Sequence, residues 1–117
     1  MKYSIANEYT KTPGVRTGLY SGEDFREKVL IKLLKNLEEN DILIINLDGG
    51  FGYSSSFLEE AFGGLVRKNK FKKEDLLKKI EIISNDEKKL IDDIKKYIEE
   101  AIPENNEVDK IWVVMKY

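Results

Sequence analysis

DILIINLDGGFGYSSSFLEEAFGGLVR, residues Asp41–Arg67, decides the fold. Ile42–Leu47 is short, β-branched and almost continuously apolar, the signature of a buried central strand, and it suits one covered on both faces. Asp48 closes it. Gly49-Gly50-Phe51-Gly52-Tyr53 then forms a tight turn, and Ser54-Ser55-Ser56 supplies hydroxyls where a helix begins. Phe57, Leu58, Ala61, Phe62, Leu65 and Val66 mark one helical face, predicting a helix from about Ser55 to Lys68. Ser56 and Glu59 stand at capping-box spacing.

Working outward, Ser21-Gly22-Glu23-Asp24 has the form of another capping box and opens a helix predicted to reach about Glu39. Phe25, Val29, Leu33 and Leu37 repeat along it every four residues. Before it, Met1–Tyr9 alternates weakly around Tyr3 and Ile5 and reads as a short strand. Pro13-Gly14 and Gly18 punctuate Thr10–Tyr20, where Val15 and Leu19 flank a second short strand or hairpin arm. Downstream, Asn69–Lys79 is a lysine-rich turn and short helix interrupted by Glu74 and Asp75, a solvated face rather than a nucleic-acid patch. Ile80–Ile83 is a strand. Leu90, Ile91, Ile94, Tyr97, Ile98 and Ala101 stripe a helix that stops before Pro103. After an Asn105-Asn106 loop, Ile111–Met115 reads as a last strand with the single tryptophan, Trp112, in its core. Strands alternating with helices imply a layered sheet in one α/β domain spanning residues 1–117.

Composition bounds the function. With 117 residues the chain is of one-domain size and buries roughly 65% of its unfolded surface. It is 41% hydrophobic and 36% charged, but 20 basic residues nearly cancel 22 acidic ones. A net charge of −2 provides no global field for nucleic acid or an anionic membrane. Cysteine and histidine are both absent, which removes disulfides, thiolate metal sites, Ser-His-Asp catalysis and the usual zinc ligands. No apolar run approaches the roughly 20 residues a bilayer demands, and the expected location is the cytoplasm. No metal, cofactor or catalytic residue is expected.

Four readings compete for Gly49–Glu60. The glycines and serines can be plain turn and cap chemistry. The loop and helix start can hold an anion or nucleotide, although neither a P-loop nor a complete G-x-G-x-x-G is present. A serine here can accept a phosphoryl group, whose charge of about −2 the helix terminus tolerates. Serine catalysis has no assembled base; Glu59 and Glu60 match the helix dipole instead. Arg16 and Arg26 can reach a phosphate or a partner's carboxylate, but such arginines more often form surface ion pairs. Asp48 reads as a ligand of turn amides. Phe51 and Tyr53 are either partner anchors or folded back on the sheet edge.

SGEDFR at residues 21–26, the Ile45–Asp48 strand end and GYSSSFLEEAFGGL with Arg67 together resemble the bacterial STAS-like proteins of unassigned function, related to the anti-sigma factor antagonists. The resemblance implies a mixed sheet of four to five strands with helices mainly on one face. It implies a non-enzymatic signalling module that docks a GHKL-type ATP-binding kinase-like protein. In the antagonists that kinase phosphorylates the first serine of an Asp-Ser-Ser-Gly-Leu motif. Alignment places Ser55 on that acceptor, with Ser54 and Ser56 as neighbours; Ser54 stands at the aspartate position and Phe57 at the glycine position. The docking surface so implied is Gly49, Gly50, Phe51, Gly52, Tyr53, Phe57 and Glu60.

Overall fold

A computed structural model describes residues 1–104. Three parallel strands form the sheet: β1 (Lys2–Ser4), β2 (Leu43–Asn46) and β3 (Ile80–Ile83), in the order β1-β2-β3. Tyr3 pairs with Ile45 and Ile45 with Ile82, so these side chains share one face. Leu43, Ile45 and Leu47 are buried there, while Ile44 and Asn46 on the opposite face are only half-buried. Among the described residues the expectation of a central strand covered on both faces therefore fails: the helices there cover one face, and the other presents Lys2, Ser4, Ile44, Asn46, Glu81 and Ile83.

The sheet also departs from the expected mixed one. Every pairing among the described residues is parallel, and three strands are present there rather than four or five. The expected strand Ile111–Met115, its Trp112 and the Asn105-Asn106 loop lie outside the described residues. The strand or hairpin arm at Val15–Leu19 is absent. Gly18 (φ 101°) and Tyr20 (φ 49°) turn the backbone left-handed and break any extended run. The first strand ends early because the Ser4 hydroxyl accepts from Asn7 N–H (3.2 Å), capping a single turn, α1 (Ile5–Glu8).

Two longer helices follow, each containing a widened turn. In α2, Gly22–Phe25 leads into a π-turn at Arg26–Leu30 and an α-helical end at Ile31–Lys35. Ser21 caps it as its sequence requires, its hydroxyl accepting from Asp24 N–H at 3.0 Å. It stops at Asn36, short of Glu39. In α3, Ser55–Leu58 leads into a π-turn at Glu59–Gly63 and then Gly64–Arg67. The short helix α4 (Lys73–Lys79) falls inside the lysine-rich stretch expected to hold one, and α5 (Lys89–Glu100) falls where the apolar spacing put it. Phe25, Phe57, Phe62, Leu58, Leu65, Ile94 and Ile98 pack over the sheet to form the core.

Candidate functional site

The turn after β2 is fixed from both sides. Asp48 carboxylate oxygens accept from Asn85 N–H (2.8 Å), Asp86 N–H (2.9 Å) and the Asn85 side-chain amide (3.0 Å). Asp48 thus bonds the turn amides of the loop after β3 rather than those of its own turn. In return, Gly49 N–H donates to Asp86 Oδ2 (3.1 Å), and Phe51 N–H donates to the Lys11 carbonyl (2.9 Å). Gly49 (φ 93°) and Gly52 (φ 110°) make the turn possible. Its tip presents the Phe51 ring, 84% exposed. Tyr53 folds back instead. Its hydroxyl donates to the Leu47 carbonyl (2.9 Å) and its ring meets Phe57 at 5.8 Å, so burial, with Asp48 nearby, raises its phenol pKa.

The loop is a poor anion cradle. Two of its amides already serve the protein's own oxygens, and the Asp48 and Asp86 carboxylates lie beside it. Among the described residues, surface hollows lie elsewhere: one among Ile42, Leu77, Ile82 and Ile91, one among Asp24, Arg26, Lys68 and Asn69, and one among Leu34, Leu37, Phe71 and Lys79. None of these touches the loop or the three serines.

The three serines divide into separate roles. Ser54 is the helix cap: its hydroxyl accepts from Phe57 N–H (3.1 Å), donates to the Gly14 carbonyl (3.2 Å) and lies 3.2 Å from Ser56 Oγ. The cap therefore sits two residues before Ser56, and Ser56-x-x-Glu59 is not a capping box. A run of three hydroxyls hides that register in the sequence. Ser55 is the first helical residue and exposed, and its hydroxyl makes no hydrogen bond among the described residues.

Phe57 and Glu60 do not belong to an accessible surface. Phe57 is wholly buried, its ring 5.9 Å from Phe25, because it lies on the core stripe of α3. Glu60 is 3% exposed and anchors an ion cluster that sequence reasoning missed. Arg26, 2% exposed rather than on the surface, donates from Nη1 to Glu60 Oε2 and to the Glu60 carbonyl, both at 2.6 Å. Arg67 Nη1 reaches Glu59 Oε2 at 2.5 Å, and Arg16 Nη1 reaches Glu59 Oε1 at 2.5 Å and Glu60 Oε1 at 3.0 Å. Burial pushes both glutamates up, but the arginine bonds prevail and hold each below the ordinary carboxylate range: Arg67 and Arg16 on Glu59, Arg26 and Arg16 on Glu60.

Glycines make room for this cluster. A Cβ on Gly64 would stand 2.1 Å from Arg26 Nη1, and one on Gly22 would stand 2.3 Å from the Phe57 carbonyl oxygen. The blocks SGEDFR and EEAFGGLVR therefore specify one interlocked contact: a cap, two close approaches and a buried ion pair. The paired spacing of Arg26 with Glu60 left no local trace, since the residues are 34 positions apart. The adjacent glycines, unusual in a helix interior, were the available signal.

A family model described as a STAS-like domain of unknown function matches residues 21–90, more than half of the chain. No curated protein and no solved structure matches.

Proposed function

The chain belongs to the STAS-like domains of unknown function, and on that footing we propose that it is a non-enzymatic regulatory module that docks another protein through the Gly49–Tyr53 turn and is switched at Ser55. The partner is a GHKL-type ATP-binding kinase-like protein, the class that phosphorylates the related anti-sigma factor antagonists. The observation carrying this reading is the split among the serines: Ser54 is committed to capping, whereas Ser55, one residue on, is exposed with an uncommitted hydroxyl. A phosphoryl group at the first helical position suits the positive end of the helix and, among the described residues, displaces no hydrogen bond of the Ser55 hydroxyl. The projecting Phe51 ring supplies the kind of aromatic anchor that protein interfaces favour.

The test is incubation with ATP and a candidate kinase, followed by residue-level phosphate mapping. Phosphate at Ser55 is expected. Labelling that omits Ser55, whether at Ser54, at Ser56 or nowhere, refutes the switch. Phe51→Ala separately tests docking, with binding expected to weaken at least tenfold.

A further inference from the structure

We propose that Arg16 is the positioning residue that reads a phosphate on Ser55, exchanging its bond to Glu59 for one to the phosphoryl group. This rests on the Ser55 reading above and adds how the modification is felt.

The loop between α1 and α2 touches the start of α3 at two points. The Gly14 carbonyl accepts from Ser54 Oγ at 3.2 Å, and two residues later Arg16 Nη1 bonds Glu59 Oε1 at 2.5 Å. Glu59 N–H donates to the Ser55 carbonyl, so Ser55 and Glu59 are one helical turn apart on the same face. Cβ atoms so placed are about 5–6 Å apart, within the swing of a guanidinium already at Glu59. The Arg16 side chain is 47% exposed, so its guanidinium is reachable from solvent.

The exchange leaves no carboxylate stranded. Glu59 keeps Arg67 through Nη1 (2.5 Å) and Nη2 (3.2 Å), and Glu60 keeps the buried Arg26 at 2.6 Å. The incoming group carries about twice the charge of a carboxylate and three acceptor oxygens, which match the planar guanidinium fork. Transfer of the γ-phosphoryl from ATP forms the Ser55 Oγ–P bond and breaks the bond to the leaving ADP oxygen. The hydroxyl proton passes to the kinase's base. The loop that Arg16 belongs to also carries Val15, Leu19 and Tyr20, all exposed. Re-pairing Arg16 thus shifts an apolar surface beside the docking turn.

Phosphoserine incorporated at position 55 during translation tests this without a kinase. The phosphate's second ionisation, ordinarily near pH 6, is followed by phosphorus NMR. Its midpoint is expected to lie at least about half a pH unit lower with Arg16 than in Arg16→Gln. Arg16→Lys, which keeps charge but not the fork, should fall between. Amide exchange over residues 11–20 should change on phosphorylation with Arg16 present and not in Arg16→Gln. Identical midpoints in the three proteins overturn the proposal. A kinase assay that labels nothing, together with a midpoint gap in the installed phosphoserine, overturns the natural switch and leaves the Arg16 contact standing. Labelling by a kinase without the gap does the reverse.

Discussion

Replacing Arg26 by Met removes a guanidinium whose side chain is 2% exposed and whose partner, Glu60, is 4% exposed. Severing a buried pair costs about 3–5 kcal/mol, because the surviving charge is left without compensation. Glu60 retains Arg16 at 3.0 Å and Arg67 at 3.4 Å, which places the loss at the lower end, near 3 kcal/mol. Unfolding entropy of about 2.1 cal/mol/K per residue gives roughly 250 cal/mol/K for 117 residues, so the midpoint should fall by about 12 °C. Glu60→Leu should cost a similar amount, since Arg26 then keeps the main-chain carbonyl of residue 60 but, as a charged partner, only the half-exposed Glu27 at 3.0 Å. The double variant removes both charges and should be more stable than either single one, with a coupling of at least about 2 kcal/mol. Urea unfolding followed by circular dichroism measures all four proteins. Additive losses, or single losses below about 1 kcal/mol, would refute the reading of a closed ion pair at the centre of the helical layer.

Other substitutions probe the remaining contacts. Gly22→Ala should destabilise by about 1–3 kcal/mol through overpacking on the Phe57 carbonyl, although alanine is the better helix former; a gain in melting temperature would show that the close approach is absent. Ser54→Ala should cost about 1 kcal/mol by loss of the cap, whereas Ser55→Ala should stay within about 0.5 kcal/mol in thermal unfolding, and equal losses would contradict the division of roles. The glutamates give a pH signature. Their folded pKa values are depressed, so their contribution is fully present above the unfolded value near 4.3 and is lost as pH falls through the folded values. The melting temperature of the natural sequence should therefore drop more between about pH 5 and pH 3 than that of Glu59→Gln, and parallel curves would count against the pairing.

The apolar runs and spacing made β2, β3 and α5 legible, while α4, which buries only Leu76, was legible from its charged, solvated composition. Local chemistry also revealed the Ser21 cap. What escaped was decided by distant partners. Arg26 looks like any helix-surface arginine until Gly64 opens a slot for it. Glu59 and Glu60 look like first-turn acids until Arg67, Arg16 and Arg26 converge on them. Alternation around Tyr3 and Ile5 gave no warning that Ser4 would turn the chain into a helical turn. At the candidate site the serine cluster itself was legible. Which hydroxyl caps and which stays uncommitted depended on Gly14, brought there by a loop whose path no periodicity records.

The interlock of Gly22, Arg26, Glu60 and Gly64 bears on how relatives of this protein can be recombined. A chimaera joined between α2 and α3 combines one parent's arginine with another parent's slot, and it should fold only where both parents carry the same match. Joined beyond Arg67, the same two parents should yield a folded hybrid, because the whole lock then comes from a single ancestor.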